Sequence, residues 1–171
     1  MRGGVILSAP ARTETVATVV HGVRGRAGAA NMLPASTGAA LATTKALPGL
    51  AGRFDGVAIR VPVPAGSIAN VTAVTARSVT REEVNDAFRE EASGGRYRGV
   101  LGVADDPVVS ADIIGDPRAS AVDAAMTRVV DGTLVKVMSW YDNEWGFTCQ
   151  IIREAFIALG LPAPDLSQVR P

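Results

Sequence analysis

An Asp131-Gly132 dipeptide stands between two apolar runs, Val122 to Val130 and Thr133 to Tyr141. Asp-Gly favours positive φ at both positions, which is the backbone a tight antiparallel hairpin needs, so the pair commits this part of the chain to sheet. A period-two stretch points the same way: Val57, Ile59, Val61 and Val63 alternate with Ala58, Arg60, Pro62 and Pro64, the prolines marking an edge or strand end. Ile68 to Arg77 reads as its neighbour, and Val5 to Pro10, Val16 to Val23, Val100 to Val103 and Val108 to Ile114 read as further short strands.

Helices interrupt the strands without regular alternation. Ala39 to Ala46 is helical and is closed by Pro48 and Gly49. Thr80-Arg81-Glu82-Glu83 is a capping box, and the helix it opens carries Val84, Ala87 and Phe88 and stops before Gly94-Gly95. A last helix begins near Asn143 or Glu144, with Phe147, Ile151, Ile152, Ala155, Phe156 and Leu159 along one stripe. Strands in runs with a few helices imply an α+β domain: a mixed, mostly antiparallel sheet with helices on one face. Residues 24–30 are small and basic, and Gly22 to Ala30 joins two unlike parts.

With 17 Lys+Arg against 17 Asp+Glu, the chain lacks the basic excess of a nucleic-acid or anionic-membrane binder. No apolar run approaches the roughly 18 residues of a membrane span. A single cysteine excludes an internal disulfide and a Cys-rich zinc site. The expectation is a cytoplasmic protein with no metal, no nucleic-acid partner and no membrane.

Several side chains allow two readings. Thr37 and Gly38, at the start of a helix, fit either a cap or a phosphate held by the free amides. Arg60, inside an apolar strand, needs either a structural carboxylate or a bound anion. Asn143 fits either a helix cap or a grip on a ligand amide. Cys149 has no neighbouring base in sequence and reads as a structural helix residue, and His21, at the end of an apolar strand, reads the same way.

Four motifs fall in one order: Pro34-Ala35-Ser36-Thr37-Gly38-Ala39-Ala40, Ala58-Ile59-Arg60-Val61-Pro62, Ser110-Ala111-Asp112-Ile113-Ile114-Gly115-Asp116 and Val137-Met138-Ser139-Trp140-Tyr141-Asp142-Asn143-Glu144. From about Arg24 to Leu159 the chain resembles glyceraldehyde-3-phosphate dehydrogenase, in its catalytic domain. The resemblance implies that residues 1–23 are a remnant of the NAD-binding domain's last strands, 24–162 a catalytic-domain-like unit and 163–171 a flexible tail. It implies that Thr37 and Gly38 hold the attacking inorganic phosphate, that Arg60 is shared by two phosphate sites, and that Arg24 is a loop arginine near them. Asn143 resembles the residue that orients the nicotinamide carboxamide, and Tyr141 one that packs beside the active site. Phe147 stands where tyrosine is usual and Leu41 where lysine is frequent.

The resemblance also implies absences. The family's Ser-Cys-Thr-Thr-Asn nucleophile segment and its Thr-Val-His-Ala base segment do not occur, and neither Cys149 nor His21 falls in their place. No catalytic residue is therefore carried over. NAD is the family's cofactor, but without the glycine-rich dinucleotide turn its binding is not expected of this chain alone. The expected ligands are inorganic phosphate or a phosphorylated triose. The expected role is a family member inactive by itself, or a phosphate-binding or oligomerisation module that forms homo-oligomers or pairs with a full-length homologue. Loss of sheet segments would expose an edge and apolar surface, lowering stability.

Overall fold

The computed structural model describes residues 2–10, 31–167 and 169, with the backbone alone for 2–10. Its strands are β1 (Arg2–Pro10), β2 (Leu33–Ala35), β3 (Phe54–Val61), β4 (Ser67–Val74), β5 (Leu101–Ala104), β6 (Ser120–Asp123), β7 (Arg128–Val130) and β8 (Leu134–Tyr141). They form one sheet in the order β2-β3-β1-β4-β8-β6-β5, with β7 continuing along β8 beyond β6. Only β1 with β3 and β5 with β6 run parallel; every other pair is antiparallel. The mixed, mostly antiparallel α+β architecture is thus observed. β1 is hydrogen-bonded on both sides, to β3 and β4, so residues 2–10 lie inside the same sheet as 33–141. The strand expected over 16–23 and the loop over 24–30 lie outside the described residues.

Paired residues on neighbouring strands point to one face, so the register sorts the side chains. Val135, Val137 and Ser139 of β8 share a face with Val71 and Ala69 of β4, with Ala58 and Arg60 of β3, and with Leu33 of β2. Helices α1 (Ala39–Ala46) and α2 (Arg81–Ser93) cover that face. α1 lies against β3, with Ala40, Ala58 and Leu33 buried; α2 brings Val84 and Phe88 onto a core of Val122, Val135 and Val137. On the opposite face Val57, Val74 and Leu134 are exposed among the described residues. In β3 the buried position is therefore Ala58, while Val57 faces out.

The local signals are mostly realised. Glu83 N donates to Thr80 Oγ1 at 3.1 Å and Thr80 N to Glu83 Oε2 at 2.7 Å, completing the capping box of α2. Asp131 and Gly132 take φ of 49° and 66° as the dipeptide requires, although the loop between Val130 and Leu134 has three residues, with Thr133 as the third.

Three expectations are corrected. Val122 to Val130 is not one strand: Asp123 Oδ1 accepts from Met126 N at 3.1 Å and bends 124–126 into a 3-10 turn between β6 and β7. The 108–114 run is not a strand either. Asp112 Oδ2 accepts from Val109 N at 2.8 Å, and Ser110–Ile113 winds into a 3-10 turn that buries Ile113 and leaves Val109 outside.

The third correction concerns α3 (Trp145–Ala158), which does not dock through its apolar stripe. It approaches through Gly146, Cys149 and Gln150. A Cβ at Gly146 would lie 2.7 Å from the Arg118 carbonyl oxygen, and Gln150 Nε2 donates to the carbonyls of Pro117 (2.8 Å) and Gly99 (3.3 Å). Phe147, Ile151 and Leu159 remain 65%, 52% and 74% exposed. The helical period located the stripe; the polar docking depends on contacts with distant loops.

Candidate functional site

One end of the sheet gathers three of the residues singled out by sequence, Arg60, Tyr141 and Asn143. Arg60, near the end of β3, pairs with Leu33 on one side and Ala9 on the other. One residue beyond the Ser8–Ile68 pair, the row continues to Ser67 at the start of β4, and Ser67 pairs with Tyr141 at the end of β8. Arg60, Ser67 and Tyr141 thus lie in one transverse row on the helix-covered face, with Arg60 and Ser67 two strand spacings, about 10 Å, apart. Arg60 is half-buried and Ser67 is 2% exposed. Burial raises the Tyr141 phenol above its ordinary value, while a hydrogen bond with Ser67 works against the rise.

Asn143 joins the row from the turn after β8. Its Oδ1 accepts from Ser67 Oγ at 3.4 Å, and its Nδ2 donates to none of the described residues. The capping role belongs to its neighbour. Buried Asp142 takes the amides of Glu144 (2.9 Å) and Trp145 (2.8 Å) on Oδ1 and that of Gly115 (2.9 Å) on Oδ2. Asp142 therefore fixes both the start of α3 and the 115 turn, which leaves Asn143 Oδ1 to the Ser67 hydroxyl. Trp140 Nε1 donates to Asp123 Oδ2 at 3.1 Å, and the Ser120 and Ser139 hydroxyls bond each other. Asp142 was legible as an acidic residue just before a helix. Ser67 carries no local signal, because its partners are 74 and 76 residues away in the chain.

β2 runs from Leu33, beside Arg60, to Ala35, beside Ala58, and the chain then leaves the sheet for Thr37 and Gly38 at the start of α1. Thr37 Oγ1 accepts from Ala39 N at 3.1 Å, which leaves the hydroxyl proton available to donate outward. Gly38 is the N-cap of α1, with φ −81°, and open space surrounds its Cβ position. Neither φ nor crowding demands glycine there; its absent side chain leaves the first amides of α1 approachable. Arg24 and His21 lie outside the described residues.

Cys149 is 2% exposed, on the docked side of α3. Burial, and secondarily the Asp142 carboxylate, push its thiol above the ordinary value, so at neutral pH it is protonated. Among the described residues no group of three His, Cys, Asp or Glu side chains is placed to hold a metal ion, and no helix is long and apolar enough to cross a membrane.

Comparison with known sequences places this geometry in a family. Residues 5–143 match the family described as "Glyceraldehyde 3-phosphate dehydrogenase, C-terminal domain". The chain is 48% identical over 129 residues to glyceraldehyde-3-phosphate dehydrogenase 2 of Streptomyces avermitilis, a match covering 75% of the chain and 38% of that relative. Over the same shares it is 52% identical to glyceraldehyde-3-phosphate dehydrogenase 1 of Streptomyces arenae and 51% identical to the Haloarcula vallismortis enzyme. The chain thus spans well under half the length of these relatives. By the extent of the domain match and by these identities, it belongs to the glyceraldehyde 3-phosphate dehydrogenase family, through that family's C-terminal domain.

Proposed function

We propose that this chain binds inorganic phosphate or a phosphorylated triose without, by itself, carrying out the family's NAD-dependent phosphorylating oxidation. The observation that carries this reading is the state of Cys149. The family reaction begins with a thiolate attacking an aldehyde, and the chain's one cysteine is enclosed, protonated and without a base among the described residues. A thiohemiacetal then has no nucleophile to form on, and hydride transfer has no covalent substrate.

Binding is a separate matter. Arg60 offers a half-buried guanidinium, whose fork suits a phosphate. Thr37 and Gly38 offer a hydroxyl and helix-start amides, with Arg24 as a further cation. The residues fit NAD only at one contact: Asn143 Nδ2 is free to meet the nicotinamide carboxamide, and Ser67 holds the Asn143 oxygen. NAD when bound would accept hydride; this chain's share is to orient the ring.

A second reading is an assembly module, as a homo-oligomer or with a full-length homologue. Two surfaces favour it: the α3 stripe, and the sheet face on which Val57, Val74 and Leu134 are exposed. Phosphate titration followed by calorimetry tests the binding reading. Arg60→Ala is expected to weaken phosphate by roughly tenfold or more, since a hydrogen bond to a charged group contributes about 1.5–3 kcal/mol. Equal affinity in the two proteins would contradict it.

A further inference from the structure

A polar cleft of about 790 Å³ opens between the 95–99 turn, the 112–118 segment, α3 and residues 163–167, and none of the Arg60–Ser67–Asn143 row lines it. Its charges are unequally occupied. Arg118 is held by Asp116, Nη2 to Oδ2 at 2.6 Å and Nε to Oδ1 at 3.0 Å. Asp112 accepts from the Val109 amide. Asp165 accepts from Ser167 N at 2.9 Å; that bond and the Arg98 cation hold its carboxyl below the ordinary value.

Arg153 is different. It is half-buried on α3, one turn beyond Gln150, and no carboxylate among the described residues lies within ion-pair distance of it. Its guanidinium lies over Gly99, with Nη1 3.3 Å from where a Cβ would sit, and Gly99 takes φ +75°. The glycine thus leaves the space in which the guanidinium rests. A partly desolvated guanidinium without an acceptor is costly, and the open side of this one is the cleft. Gln150 is fixed by donating to Gly99 and Pro117, which leaves its Oε1 able to accept.

We propose that this cleft binds a small hydroxylated organic anion, its phosphate or carboxylate on Arg153 with Arg98 alongside, and its hydroxyls towards Gln150 and Asp165. The volume lies within the usual range for small-molecule sites, roughly 300–1,000 Å³. A planar guanidinium fork takes either oxyanion in a bidentate manner.

The test uses the full chain, titrated with glucose 6-phosphate, with gluconate and with inorganic phosphate, and followed by calorimetry and by the amide NMR signal of Gly99. At least one organic anion is expected to bind and to shift the Gly99 signal; which of the two does so identifies the anionic group. Arg153→Ala should lower that affinity roughly tenfold or more, and Arg153→Lys by less, as expected when a fork becomes a point charge. Arg98→Ala keeps the test open if Arg153→Ala does not fold, and should weaken binding severalfold. Lys45→Ala should leave the organic anion's affinity within about twofold, because that exposed cation lies outside the cleft. Overturning results are no binding of either organic anion, binding with Gly99 unmoved, affinity untouched by the Arg153 and Arg98 variants, or loss with Lys45→Ala.

Discussion

Asp142 and Asn143 are adjacent and polar, and either could have capped the helix. A carboxylate takes more amides than a carboxamide oxygen, so Asp142 holds three backbone N–H groups while Asn143 Oδ1 accepts from Ser67 and its Nδ2 donates to none of the described residues. Sequence alone left capping with Asn143 as an open reading, because both residues precede a helix start and the third amide, Gly115, comes from a separate turn. Cys149 gives the residue scale its pH test. Its pKa is raised in the folded state, so the associated stability is fully present below the ordinary thiol value of 9.0 and is lost as pH rises through the folded value. Between the two values the unfolded chain has released a proton that the folded chain retains. Thermal unfolding of the wild type should therefore lose more on moving from pH 7 to about pH 10 than unfolding of Cys149→Ala does. Parallel losses would mean that the thiol titrates normally in the fold.

Elements were legible where their signals were local. The α2 cap is written within four residues, Thr80 to Glu83, and both of its reciprocal bonds form. Thr80→Ala is expected to cost about 1 kcal/mol of stability, measured by denaturant midpoint at unchanged slope. A loss near zero would show that tertiary packing of Val84 and Phe88 alone fixes the helix start. Elements were misread where a side chain overrides an apolar run. Val108 to Ile114 carries the composition of a strand, but the bond from the Val109 amide to Asp112 closes it into a turn. The α3 stripe was found correctly, but the docking surface was not legible, because Gly146 and Gln150 set it against loops distant in the chain. Ser67 escaped notice for a related reason: a serine at a strand start means nothing until β8 is laid beside it.

For the whole molecule, the family and sheet class were legible from motif order, while the packing of exposed surface was not. Two apolar surfaces, one on α3 and one on the sheet face of Val57, Val74 and Leu134, are exposed among the described residues. The assembly reading rests on that exposure. Light scattering at increasing concentration should show a mass above one chain, and Ile151→Lys with Leu134→Lys should lower it. A monomer at all concentrations would remove the assembly reading and leave binding alone.

The central claim is that a member of this family retains ligand-binding residues without a working nucleophile. Formation of NADH by the purified chain, supplied with glyceraldehyde 3-phosphate, NAD and phosphate, tests it most directly. The account predicts no turnover above the protein-free control. Turnover that a thiol-blocking reagent stops, and that Cys149→Ala abolishes, would contradict it and make the buried cysteine the catalyst.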